Sequence, residues 1–217
     1  MRYFRSSFVI LAVCVAVPAF AQTLPQPMPP SQPMPPAPPL ESPQQGVPEA
    51  APNAGQPLNA RVDPLFAALK RERNPEKARG IATQIAMNMG ESGSPTVNLL
   101  MGWAATAAKE KRNAAALDFL DRVTLIDPAY VEGWNRRATM HYAMGDQRKA
   151  MADIAEVLKR EPRHFGALAG LAGILTEAGR DSQALNAWER YLDIYPADRE
   201  AQEAVTKLSE KIAGNRT

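Results

Sequence analysis

The stretch VEGWNRRATMHYAMGDQRKAMADIAEVLKREPRH, residues 131–164, carries the pattern from which the fold follows. In its second half Ala150, Ile154 and Val157 stand at steps of four and three, one stripe of an amphipathic helix. Gly145 precedes the stripe and supplies a turn at positive φ; Pro162 follows it and stops the helix. The unit recurs. Pro128, Pro162 and Pro196 are 34 residues apart, Ala116, Ala150 and Ala184 keep that spacing, and so do Gly145 and Gly179. The matching stripes are Ala116, Leu120, Val123 upstream and Ala184, Trp188, Tyr191 downstream. A small alanine at the head of each stripe lets two antiparallel helices approach closely. Three residue types holding one period predict stacked helical hairpins, each burying its apolar stripe against its neighbours.

These residues resemble the tetratricopeptide repeat family, whose unit is a helix-turn-helix. The resemblance covers three contiguous units, 97–130, 131–164 and 165–198. The middle one has Trp134, Ala138, Gly145, Ala150 and Pro162 at the family's marker positions. Ala104 and Ala172 stand where the family commonly has glycine, and Arg137 where it usually buries leucine. Upstream, residues 62–93 read as a fourth, degenerate unit, with Asp63-Pro64 and Asn74-Pro75 each a cap followed by proline at the first helical position. Downstream, residues 198–213 read as an amphipathic helix sealing the last repeat. The expected fold is all-α: nine helices in one right-handed α-solenoid with a C-terminal capping helix, spanning 58–217.

The flanks read differently. Arg2 and Arg5, an apolar run from Phe8 to Val17 and the small-x-small triplet Ala19-Phe20-Ala21 predict a signal peptide over 1–21, cleaved after Ala21. The run is about half the ~20 residues a membrane-spanning helix needs, so no integral span is expected after cleavage. Cys14 is a competing lipoprotein site, weakened by the bulky Val13 before it. Residues 22–57 hold 13 of the 20 prolines, which exclude helix and sheet and predict a disordered linker. Removing the leader takes two arginines and the one cysteine with it. The remainder has 23 basic and 23 acidic residues, which gives no electrostatic case for nucleic acid. A periplasmic or secreted location follows as the expectation, with the N-terminus retained as a tether or removed.

The resemblance implies a peptide- or helix-binding groove formed by the first helix of each unit. Carried over by position, it would present Asn98, Met101, Ala105 and Lys109, then Glu132, Asn135, Thr139 and Tyr142, then Ala169, Gly173, Thr176 and Glu177. Asn135 is also a residue type that family members use to grip a C-terminal carboxylate, but the lysines of that clamp are absent. Gly166, Gly170 and Gly173 share one helix face, at a cost of about 1 kcal/mol each relative to alanine. Close packing of another helix, the terminal one included, would explain them; a smooth seat for a partner's backbone is the alternative. Arg136 and Arg137 stand together; Arg137 needs a partner if buried, and Asp153 and Asp121 are placed to provide one, while an exposed arginine pair gripping a carboxylate of a binding partner is the alternative. Trp103, Trp134 and Trp188 fall at packing positions, His141 reads as a core or half-buried ring, and His164 lies between units.

No phosphate loop, nucleophile elbow or zinc-protease motif is present, and two histidines 23 apart make no recognisable metal site. Neither catalysis nor a cofactor or metal is expected. The functional expectation is an exported scaffold binding a protein or peptide, serving cell-envelope assembly or maintenance. Self-assembly through exposed end helices and small-molecule binding are the alternatives.

Overall fold

The computed structural model describes residues 57–214, and nine α-helices account for nearly all of them. In order they are α1 Leu58–Arg71, α2 Pro75–Gly90, α3 Pro95–Lys109, α4 Asn113–Ile126, α5 Val131–Ala143, α6 Gln147–Arg160, α7 Phe165–Glu177, α8 Asp181–Ile194 and α9 Arg199–Gly214. The helices α3–α4, α5–α6 and α7–α8 form antiparallel hairpins. Each second helix then packs on the first helix of the next unit, α4 on α5 and α6 on α7, and α9 closes the stack on α8. The result is a right-handed α-solenoid with a terminal capping helix.

The local chemistry of each unit explains the repeat. The stripes predicted from sequence are buried: Ala116, Leu120 and Val123 on α4, then Ala150, Ile154 and Val157 on α6. Asp146 opens α6 by accepting the amide of Lys149, and Asp198 opens α9 by accepting those of Glu200 and Ala201. Between the helices of a hairpin the chain must pass through positive φ. Gly145 does so at +80° and Gly179 at +68°. The equivalent place in the first unit is Lys111, at +59°. A lysine there bears a steric cost that glycine avoids. Lys111→Gly is therefore expected to stabilise the protein by about 1 kcal/mol, seen as a higher urea midpoint at unchanged m-value.

Helix α5 crosses α4 closely. A Cβ at Gly133 would lie 2.7 Å from Val123 Cγ1, so only glycine fits without displacing the valine. Arg137, the residue out of keeping with a buried leucine position, is satisfied as its neighbours suggest. Its guanidinium makes a two-pronged pair with Asp153 (2.8 and 2.6 Å) and donates to Asp121 and to the Thr124 hydroxyl, each at 2.9 Å. It also lies 4.7 Å from the Trp134 ring centre, with Arg160 at 4.9 Å.

The first hairpin departs from the expected line of units. Helix α2 does not stack on α3 as α4 stacks on α5; instead α1 packs against α8 and α2 against α5. Phe66 is buried edge-on to Phe165, 6.5 Å between centres, and Arg163 stands 4.4 Å over its ring while pairing with Asp63 at 2.9 Å. The Tyr130 hydroxyl donates to the Gly90 carbonyl at 2.6 Å. Tyr130, Arg163 and Phe165 all belong to the turns between repeats, or to the first residue beyond one. The pair α1–α2 is thus a strap laid across those turns. The start of α1 differs too. Leu58 begins it, and Pro64 lies inside the helix, because burying Val62 on the stripe with Phe66 and Leu69 outweighs the backbone bond that proline forfeits. Asn74 does cap α2 as read, accepting the amide of Lys77 at 3.0 Å.

Candidate functional site

The first helices of the three repeats, α3, α5 and α7, line an inner face with two neighbouring clefts. One, of ≈ 390 Å3, lies between α3 and α5 and is lined by Met101, Ala105, Glu132 and Thr139 among the predicted residues. Gly102, Ala104 and Ala108 give it a floor of small side chains, with Arg136 and Met140 at its wall. The other, of ≈ 280 Å3, lies between α5 and α7 and gathers Asn135, Thr139, Tyr142, Ala169 and Gly173. Thr139 borders both, so the two clefts adjoin.

The remaining predicted positions lie apart. Asn98 borders a separate hollow beside Leu58 and Arg61 of the strap, where its side-chain oxygen accepts the Ser92 hydroxyl at 2.7 Å. Lys109, Thr176 and Glu177 stand at the C-terminal ends of α3 and α7, outside the lining of both clefts. Glu177 is engaged: it accepts the Tyr142 hydroxyl and, at 3.1 Å, the Gln147 amide, tying α7 to α5 and α6. The Thr139 and Thr176 hydroxyls turn back onto the carbonyls of Asn135 and Ala172.

Glu132 is a buried acceptor rather than a free groove carboxylate. It takes hydrogen bonds from Asn135 Nδ2 (3.0 Å) and Arg136 Nε (2.6 Å), and His164 Nε2 lies 3.4 Å away. His164 Nδ1 accepts the Ala167 amide at 3.0 Å, which caps α7 and leaves the ring proton on Nε2, pointing at Glu132. Burial pushes the Glu132 carboxyl up. The bonds from His164, Arg136 and Asn135 more than reverse this and leave it below the usual carboxylate range. A lowered folded-state pKa means that this contribution is complete above the unfolded value and is lost as pH falls through the folded one.

The glycine face is divided: it is open at Gly173, it meets α6 at Gly170, and at Gly166 a Cβ would crowd the His164 ring at 3.3 Å. Gly166, Gly170 and Gly173 open onto the second cleft, and no terminal helix covers them. A Cβ at Gly173 would meet nothing within 4 Å, and one at Gly170 only the Ile154 methyl at 3.6 Å. Sequence reading offered the Gly166, Gly170 and Gly173 face as a seat for a partner's backbone only as the alternative, read Ala138 as a repeat marker, and missed Met140. The signal was there in the spacing, since Arg136 and Met140 are one turn apart on α5.

Trp103 also departs from expectation: it is 48% exposed, touching Phe119 but lacking the second wall that a packing position implies. Among the described residues no helix is long and apolar enough to cross a membrane, and no group of three or more His, Cys, Asp or Glu could hold a metal.

Stacked hairpins with an open inner face define a helical repeat scaffold. Comparison with known proteins gives the family. A family model described as tetratricopeptide repeat matches residues 141–208. A TPR repeat-containing protein of Rhizobium etli is 58% identical over 165 residues, covering 76% of this chain and 81% of the relative. The chain belongs to the tetratricopeptide repeat family. Among solved structures, the first TPR of Spaghetti (RPAP3), bound to the HSP90 peptide SRMEEVD, aligns with a TM-score of 0.52 at 18% identity, over 55% of this chain and 95% of that one. The Sgt2 TPR domain from Aspergillus fumigatus gives 0.52 at 20% identity, over 57% and 84%. Both share the fold.

Proposed function

We propose that this protein is a non-catalytic scaffold that holds a peptide or helix of a partner protein along the inner face of its repeats, in the cell envelope. The observation that carries the reading is the pair of adjoining clefts on α3, α5 and α7. Their small-residue floors admit a backbone closely, while Asn135, Arg136 and Tyr142 offer polar contacts at the walls. A relative in fold holds a peptide, which supports the same use here. Of the twelve groove positions read from sequence, the eight that line the clefts form the working surface we assign. The envelope location rests on the leader over 1–21, and the linker over 22–57 would let the domain reach its client; both segments lie outside the described residues.

Gly173→Leu separates binding from folding. A Cβ at this position meets no neighbour within 4 Å, the rest of the side chain projects into the second cleft, and leucine improves on glycine in a helix by about 0.5–1 kcal/mol. Thermal stability is expected to rise slightly, while capture of partners from envelope extract falls at least about tenfold, as 1.4 kcal/mol of lost contact would give. Asn135→Ala and Tyr142→Ala baits should weaken the same bands. Equal capture by wild type and all three variants would overturn the groove reading.

A further inference from the structure

We propose that a second copy of this chain covers the free end of the repeat stack, making a two-fold dimer through α3 and α4. The argument starts from register. Leu99 and Trp103 stand 34 residues before Gly133 and Arg137. In the second repeat those two positions press on the preceding helix α4: a Cβ at Gly133 would meet Val123 at 2.7 Å, and Arg137 reaches Asp121 and Thr124. Phe119, likewise, precedes Asp153, the partner of Arg137, by 34. Leu99 and Trp103 therefore hold the positions that face a preceding helix, with Phe119 beside Trp103, although a leucine where α5 carries glycine would hold such a helix farther off. Among the described residues no helix stacks on this face as α4 stacks on α5, because the hairpin that should have done so straps the turns instead. Leu99 is 52% and Trp103 48% exposed, and Ile126, further along α4, 55%.

The opposite end is built differently. Helix α9 covers α8 and turns Glu203, Lys207 and Glu210 outward, the polar finish of a sealed end. A head-to-tail copy would set that polar surface against Trp103, so an open filament is disfavoured. Of the two ends of the described stack, the α3–α4 face is the one that can match itself.

Charge supports the self-match. Arg122 lies between Phe119 and Ile126 on one ridge of α4, and Asp118 lies one turn before it. Neither side chain has an ion-pair or hydrogen-bond partner among the described residues. With two copies of α4 crossing antiparallel about a two-fold axis, each Arg122 meets the other copy's Asp118, twice. The patch is two helices wide and about 22 Å long, on the order of 450 Å2 per copy, against roughly 800 Å2 for a standard interface. A reversible dimer follows, with a dissociation constant on the order of 10–100 µM.

Sedimentation velocity of the full chain, from about 1 µM to about 1 mM, tests this. The wild type should move from monomer to dimer, and Trp103→Asp should stay monomeric. Asp118→Arg alone and Arg122→Asp alone should each weaken association at least about tenfold. Mixed together, the two variants should dimerise at least as well as wild type, since the mixed pair restores both contacts; no folding defect could produce that rescue. A wild type that stays monomeric throughout, a dimer insensitive to Trp103→Asp, or a mixture no better than its components would each overturn the proposal.

Discussion

Asp153→Ala is expected to destabilise the protein by about 3 kcal/mol or more, the largest loss from any single polar deletion in the repeats. The Asp153 side chain is only 6% exposed, and it supplies both prongs of the Arg137 pair. Its removal leaves a guanidinium that is 19% exposed with Asp121 and Thr124 as partners on one nitrogen only. Opposite behaviour is expected of the double variant. Arg137→Leu combined with Asp153→Ala replaces a costly ion pair with the leucine that the family usually buries there, and should return to within about 1 kcal/mol of wild type. A urea-unfolding cycle over the four proteins gives the coupling directly. If Asp153→Ala costs no more than an exposed pair, under about 1 kcal/mol, water reaches Arg137 freely and the network is ornamental.

Phe66→Ala should cost about 3–5 kcal/mol, but locally. Phe66 is 5% exposed and seals the strap against Phe165 and Arg163, whereas the Asp63–Arg163 pair beside it is half in water and contributes little. Amide exchange should accelerate throughout α1 and α2 while α5 to α8 keep their protection, marking the strap as a separate opening unit. Loss of protection spread evenly over all nine helices would mean instead that strap and repeats unfold as one.

The stack itself was legible because its signal is periodic. Every 34 residues the same demands recur, a small residue at a crossing, a positive φ at a turn, a stop at proline, and the residues that meet them line up. Lys111 shows the limit of that method: the backbone repeats its +59° there, yet the side chain breaks the pattern and conceals the turn. The strap was hidden for a stronger reason. Steps of four and three on α1 and α2 reveal an apolar face without saying what covers it, and an in-line neighbour and a distant turn are covered equally well. The clefts were partly legible. Position in the repeat located Met101, Asn135 and Tyr142, but Glu132 carries the same groove position and is drawn inward, because His164 and Arg136 satisfy it there. The exposure of Trp103 follows from the strap's displacement, so missing the one entailed missing the other.

Asp63 and Arg163 meet although 100 positions separate them. Stacked repeats otherwise join neighbours only and can form in any order, each unit as soon as its own residues are available. The strap breaks that rule. It leaves the ribosome before the units it must rest on exist, and it finds its seat only after α8 has been made and folded. Until then the α1–α2 hairpin can cover its apolar stripe only with itself, and Phe66 lacks its seat on Phe165, in a period when a nascent chain is exposed to misassembly.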